Sequence, residues 1–194
     1  MQARRINAQT ERLVLTALLT ALVAVLSYFG GFIKIGGFAS ISLTLVPVVL
    51  GAALLGPWVG AWLGGVSGLV FFLTADAAFW FGLNVFGTVA TVLVKGVAAG
   101  LCAGLVYKLL EASNRYVAMI VSAIVAPVVN TGIFLLGCLI FFMDTVSSGA
   151  AGEGYSVFAY LMIAFVGLNF VFELIVNIVL SPVLLRVTEL WKKR

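Results

Sequence analysis

The chain has 194 residues, of which 63% are hydrophobic and only 9% are charged, and its formal net charge is +4. A soluble domain would carry about a quarter charged residues, so this composition excludes one and predicts an all-α integral membrane protein. The sequence contains no histidine. This absence rules out His-ligated metal sites, Ser-His triads and histidine proton relays, and we therefore expect neither an enzyme nor a bound cofactor.

Six apolar segments are candidates for membrane-spanning helices, which need about 20 residues with a range of ~17–25. In chain order they run over residues 13–29, 41–55, 58–73, 86–109, 117–143 and 157–187. The second is short and contains Pro47, and Gly56-Pro57 makes a tight turn into the third. The last exceeds one bilayer thickness, which predicts a tilted helix or an amphipathic end. We expect a single six-helix transmembrane domain over residues 1–194.

Basic residues concentrate on one side of this predicted bundle. They are Arg4, Arg5, Arg12, Lys108, Arg115, Arg186, Lys192, Lys193 and Arg194. An even number of spans puts both termini on that side, together with the loop over residues 108–115. The opposite side has one basic residue, Lys34, against three acidic ones. The positive-inside bias therefore predicts cytoplasmic termini, with anionic lipid headgroups rather than a nucleic acid as the counterpart of the charge.

Two segments on the opposite side, residues 29–38 and 76–84, are rich in glycine and aromatic residues. One interpretation is an interfacial aromatic belt with flexible turns. The other is a pair of lids that fold over an outward-facing cavity. The sequence leaves both interpretations open.

Glycine recurs every four residues on two of the predicted spans. The set on the third span is Gly60, Gly64 and Gly68, and the set on the fourth is Gly96, Gly100 and Gly104. A spacing of four puts each set on one helix face, where the missing side chains let two backbones approach closely. We expect both sets to serve helix packing within the chain.

The segment from Ile41 to Gly68, ISLTLVPVVLGAALLGPWVGAWLGGVSG, resembles the second and third helices of a known transporter family. The family comprises the substrate-binding S components of energy-coupling factor (ECF) vitamin transporters, and the resemblance extends over nearly the whole chain. It implies a high-affinity subunit of a prokaryotic plasma-membrane importer that delivers a vitamin or related micronutrient by toppling in the membrane. The implied partners are the ECF transmembrane coupling subunit and two ABC ATPases, since this chain has no P-loop motif of its own.

The same resemblance assigns a role to Ala17 and Ala21 on the first predicted span. In the family, an Ala-x-x-x-Ala motif on this helix docks on the coupling subunit, and the two alanines match it in type and spacing. The spacing alone is equally compatible with internal packing. The resemblance further implies a binding site in the outer half, formed by spans four to six and capped by the first two external loops.

Two charged residues, Lys95 and Glu173, lie deep inside apolar stretches. An ionisable side chain there costs at least ~2.5–3.5 kcal/mol, so it faces a partner, a cavity or a ligand. From helical spacing and depth, the predicted ligand-binding residues are Asn84, Thr88, Thr91, Lys95, Asn130 and Asn169. We interpret Glu173, about one turn deeper than Asn169, as a counter-charge of Lys95 or a packing element. A purely structural Lys95–Glu173 pair is the alternative.

The charge of Lys95 favours a ligand with a carboxylate or another anionic group. Pantothenate is small, amphipathic and anionic, and it belongs to the repertoire of the family, so it is the first choice, followed by riboflavin and other vitamins. The alternative from another class is a stand-alone secondary transporter or channel, in which a buried Lys-Glu pair couples to protons. Neither an inverted repeat nor a discontinuous helix is evident in the sequence, which argues against that class.

Overall fold

The computed structural model describes residues 2–30, 34–35, 39–40 and 43–192. The helices are α1 (Gln2–Gly30), α2 (Leu45–Leu55), α3 (Pro57–Phe71), α4 (Ala75–Leu83), α5 (Val85–Leu110), α6 (Arg115–Phe141), α7 (Met143–Gly152), α8 (Val157–Tyr160), a π-helix (Leu161–Val166) and α9 (Gly167–Lys192). Two strands of two residues each, β1 (Lys34–Ile35) and β2 (Ala39–Ser40), pair in antiparallel orientation. The predicted fold class, a helical membrane protein, is therefore confirmed.

Each predicted span overlaps a helix, but the helices differ in how far they reach. By length and composition, α1, α5, α6 and α9 can each cross a membrane alone, and α3 with α4 passes only as a pair bent by 84°. The 11 residues of α2 extend about 16 Å, against a hydrocarbon core of ~30 Å. The described residues therefore supply four or five spans of sufficient length. Residues 41–42 of the predicted second span lie outside the described residues.

The segment over residues 76–84, which we interpreted as an external belt or lid, is largely helical. It forms most of α4, and a further short helix, α7, follows α6. Asn84 separates α4 from α5 in an extended conformation, and its side chain accepts a hydrogen bond from the Gly87 N–H at 2.8 Å. This is an N-cap for α5. The predicted lid over residues 29–38 lies only partly within the described residues.

The last predicted span is discontinuous, which the sequence did not indicate. The chain passes from α8 through the π-helix into α9, and the backbone leaves helical geometry at Gly167, where ψ is −138°. π-Helical turns are rare and frequently occur at functional sites. The break lies two residues before Asn169. It therefore falls next to one of the predicted ligand-binding residues.

Several contacts gather the basic segments at one end of the bundle. The Arg12 guanidinium donates a hydrogen bond to the backbone oxygen of Leu55 at 3.0 Å, which ties α1 to the end of α2. Gly104 of α5 approaches the turn between α2 and α3 so closely that an added Cβ would lie 2.5 Å from the Pro57 Cα. Tyr107 belongs to a buried cluster that joins α5, α6 and α9. The N-terminal part of α1 and the C-terminal halves of α5 and α9 thus lie at the same end.

At the other end of the bundle, aromatic side chains pack α4 against α6. The ring of Trp80 in α4 packs edge-on against Phe134 of α6 at 5.6 Å and against Phe142 at 5.1 Å between centroids. Next to them, a buried cluster containing Cys138 and Val146 joins α6 and α7 to the π-helix. The short helix α4 is therefore packed on the bundle by aromatic side chains.

The two glycine sets face each other across the contact between α3 and α5. A Cβ added to Gly60 would lie 2.5 Å from the carbonyl oxygen of Gly100, and Gly64 and Gly96 approach each other more closely still. At the ends of the contact, Gly68 packs against the Val92 carbonyl and Gly104 against Pro57. Side chains at these positions would force the two backbones apart, so the short distance between the helices depends on glycine.

Replacing Gly64 by alanine is expected to lower the thermal stability of the purified protein by about 5–10 °C, because overpacking costs ~1–3 kcal/mol. The new methyl group would overlap the backbone of Gly96. Gly132→Ala is the matched control, since a Cβ there meets no atom within 4 Å. Melting curves of the three proteins in one detergent test this; equal melting temperatures would show that the helices separate without cost.

Candidate functional site

A cavity of about 140 Å³ lies inside the bundle, bordered by α1, α2, α3, α5, α6 and α9. The structure brings four of the polar residues predicted from the sequence to its wall. They are Lys95, Asn130, Asn169 and Glu173. These residues come from three different helices, α5, α6 and α9. Such convergence of polar side chains on one cavity in an apolar bundle is the usual composition of a small-molecule site.

Lys95 is half-buried, and its ammonium group lies against aromatic rings at the cavity wall. Its Nζ is 4.9 Å from the ring centroid of Phe134 and 5.9 Å from that of Phe71. Both distances fall within the ~6 Å range of cation–π attraction. Rings stabilise the ammonium without accepting its three N–H donors as a carboxylate would. Lys95 is therefore placed to donate hydrogen bonds to a negatively charged group in the cavity.

Helix α9 contributes hydrogen-bond acceptors to the cavity, whereas Lys95 contributes a donor. Glu173 is only 3% exposed, and its Oε2 atom has no hydrogen-bond partner. The Oδ1 atom of Asn169, one turn earlier on the same helix, is also buried and unpartnered. Leaving a buried acceptor unsatisfied costs ~1–3 kcal/mol, and more when the group is charged. The α9 side of the cavity therefore presents two acceptors that lack donors.

Three of the predicted ligand-binding residues do not line the cavity. Asn84 caps α5, and the Thr88 hydroxyl donates to the backbone oxygens of Trp80 at 2.9 Å and of Asn84 at 2.8 Å. Thr91 is buried where α5 meets Gly137 of α6. Asn84, Thr88, Thr91 and Lys95 form a polar stripe along α5. Its outer part is covered by α4 and α6, and among these four residues only Lys95 lines the cavity.

The sequence did not single out a group of hydroxyls from the first three helices that also lines the cavity. The Ser27 hydroxyl of α1 lies 3.2 Å from the Ser67 hydroxyl of α3 and 3.4 Å from that of Thr44, which precedes α2. Serine and threonine in apolar helices usually bond to the carbonyl one turn back, so their types alone gave no signal. The cavity consequently extends beyond spans four to six, to which the resemblance had assigned the site.

The bend between α3 and α4 adds an acidic side chain to the cavity. Thr74 and Asp76 line it at this bend, where the two helices meet at 84°. Asp76 is in the first turn of α4, where a negative charge is favoured by the helix dipole. The segment that we had interpreted as a belt or a lid therefore contributes directly to the cavity wall.

Apolar helices of spanning length surround a cavity that is lined by a lysine, two carboxylates and two asparagine amides. This composition is typical of a membrane protein that binds a small polar molecule. The family model described as "ECF transporter, substrate-specific component" matches residues 11–185, and the chain belongs to this family. No curated protein and no solved structure matches the chain. The protein is accordingly the substrate-binding subunit of an ECF importer, not an enzyme, and it works with the ECF coupling subunit and ATPases.

Proposed function

We propose that this subunit binds a small anionic vitamin, with pantothenate as the first candidate. The observation that carries the proposal is the Lys95 ammonium at the wall of a cavity within the apolar bundle. A carboxylate would accept charge-assisted hydrogen bonds from it, which are roughly twice as strong as neutral ones. Asn130 and the hydroxyls around Ser27 provide further polar groups to orient the ligand.

The size of the cavity favours a small ligand. Its volume of about 140 Å³ is below the ~300–1,000 Å³ of pockets for drug-sized molecules. Pantothenate fits this better than folate, which is anionic but larger. Riboflavin carries no charge for Lys95 to pair with and ranks behind pantothenate for that reason.

We further propose six membrane crossings with both termini in the cytoplasm of a prokaryotic cell. The support is the clustering of basic segments: Arg12 contacts the α2–α3 turn, and Lys108 and Arg115 flank the α5–α6 turn at the same end. The positive-inside bias assigns such an end to the cytoplasm. In this arrangement α2 and α3 act as separate short crossings joined at Gly56, and anionic headgroups surround the basic end.

Delivery of the ligand is proposed to require docking through α1, followed by toppling of the loaded subunit as the ATPases drive the coupling subunit. Ala17 and Ala21 are exposed, whereas Leu19 and Val23 of the same helix are 2% and 0% exposed. The alanines therefore face away from the bundle, which leaves a flat strip for another helix. Internal packing, the other interpretation of this spacing, receives no support from their exposure.

The ligand assignment is tested by purifying the chain alone in detergent. Mass spectrometry of the denatured protein identifies co-purifying small molecules, and isothermal titration measures the binding of pantothenate after these are removed. We expect pantothenate to co-purify and to rebind with a stoichiometry of one to one. Saturable binding of riboflavin without any binding of pantothenate would contradict the pantothenate assignment and leave the class unchanged.

A further inference from the structure

We propose that Glu173 is a ligand-binding residue rather than only a counter-charge for Lys95. It would accept hydrogen bonds from O–H or N–H groups of the ligand, at a point of the cavity different from where Lys95 holds the anionic group. The ligand would then be anionic at one end and carry donors at the other. This inference rests on the function proposed for the same cavity and adds a second requirement to it.

The first support is that the Lys95 ammonium leaves one oxygen of the Glu173 carboxylate without a hydrogen bond. A dedicated counter-charge would bond to the ammonium, but the Oε2 atom of Glu173 has no hydrogen-bond partner. The ammonium instead lies over the rings of Phe134 and Phe71. The two charges attract each other across the cavity, yet each keeps hydrogen-bonding capacity for something placed between them.

The second support is a neighbouring acceptor with the same deficiency. Asn169 and Glu173 are four residues apart on α9, a spacing that puts both side chains on one helix face. Both line the cavity, and the Oδ1 atom of Asn169 is also buried without a partner. Asn177, one turn further on, donates its amide to the backbone oxygen of Glu173 at 2.8 Å, and so does not satisfy the carboxylate. The two unpartnered acceptors therefore indicate that their hydrogen-bond donors come from a molecule bound in the cavity.

These acceptors make the site selective. A site built to bond a hydroxyl or an amide rejects an analogue that lacks the group, because its own buried polar atoms are then left unpaired. Pantothenate meets both requirements, since it has a carboxylate at one end and two hydroxyls with an amide N–H toward the other. A hydrophobic carboxylate of similar size meets only the requirement of Lys95.

The experiment compares pantothenate with its dideoxy analogue, in which both hydroxyls are replaced by hydrogen and the carboxylate is kept. Dissociation constants are measured by titration for the wild type, Glu173→Gln and the control Glu189→Gln, a half-buried residue on α9 outside the cavity. We expect Glu173→Gln to weaken pantothenate binding by at least ~10-fold and to change binding of the analogue by less than ~3-fold. Glu189→Gln should alter neither. Equal weakening of both ligands, or no weakening, would overturn the proposal.

The test also covers a variant that does not fold and a wild type that does not bind pantothenate. Should Glu173→Gln fail to fold, Glu173→Asp takes its place, because it keeps the carboxylate but withdraws it by one methylene group. A loss of affinity for pantothenate that the dideoxy analogue does not share supports the proposal, and equal losses for both ligands overturn it. Should the wild type bind no pantothenate, the pantothenate assignment fails, and the molecule that co-purifies with each variant is measured instead. Its loss from Glu173→Gln alone supports a ligand contact, and its equal retention in all three proteins overturns one. Absence of any bound molecule from the wild type overturns both proposals.

Discussion

Replacing Lys95 by methionine is expected to weaken pantothenate binding by about 100-fold, which corresponds to ~2.7 kcal/mol. Methionine keeps an unbranched apolar stem and packs well against aromatic rings, so the contacts with Phe134 and Phe71 persist in large part. The variant removes the ammonium, and with it the charge-assisted hydrogen bonds to the ligand carboxylate. Panthenol, the neutral alcohol related to pantothenate, should lose less than ~3-fold in affinity.

The control for this prediction is Lys108→Met, which removes a lysine that is exposed and outside the cavity. It should bind both ligands as the wild type does. Isothermal titration of the three proteins with the two ligands gives the comparison directly. Equal losses for pantothenate and panthenol in Lys95→Met would identify a structural lysine, whose role is to neutralise Glu173.

Replacing Ala17 or Ala21 by tryptophan is expected to abolish uptake by the assembled importer while leaving ligand affinity within ~2-fold of the wild type. The large ring would keep a partner helix from approaching α1, whose small-residue strip allows close contact. Affinity should persist because both alanines are exposed, and the buried Leu19 and Val23 hold α1 on the bundle. Uptake in vesicles that contain the coupling subunit and ATPases, together with titration of the isolated variants, separates the two effects.

Val128→Trp supplies the matched control, since this α6 side chain is 48% exposed and lies outside the proposed docking strip. It should support normal uptake. A large loss of ligand affinity in the alanine variants would mean that α1 had been displaced within the bundle. Normal uptake with unchanged affinity would place the docking surface elsewhere.

The sequence predicted features that depend on composition and periodicity. Charge depletion identified a membrane protein, and spacing of four located glycines that the structure pairs, such as Gly60 with Gly100. The two charged residues inside apolar stretches, Lys95 and Glu173, line one cavity. A charge in an apolar stretch carries information because the bilayer penalises unpaired charge strongly.

Features that depend on tertiary contacts were not predictable in this way. The bend into α4 is held by contacts of Trp80 with distant aromatic side chains, and the π-helix before Gly167 has no sequence signature. Whether a threonine faces a cavity is also a tertiary property. Thr88 bonds to backbone oxygens at the α4–α5 junction, whereas Thr44 reaches the cavity. Helical spacing alone does not distinguish these environments.

The discontinuous last span bears on the alternative of a stand-alone transporter, because broken helices at the binding site are common in such proteins. The break next to Asn169 has that character. Membership of the substrate-specific component family nevertheless assigns the chain to a multi-subunit importer.

We propose that this chain binds an anionic vitamin and depends on partner subunits to deliver it. The most direct measurement is uptake of radiolabelled pantothenate into proteoliposomes that contain the chain alone, or the chain with the ECF coupling subunit and both ATPases plus ATP. We expect saturable binding without accumulation for the chain alone, and ATP-dependent accumulation only with the partners. Concentrative uptake by the chain alone would contradict it.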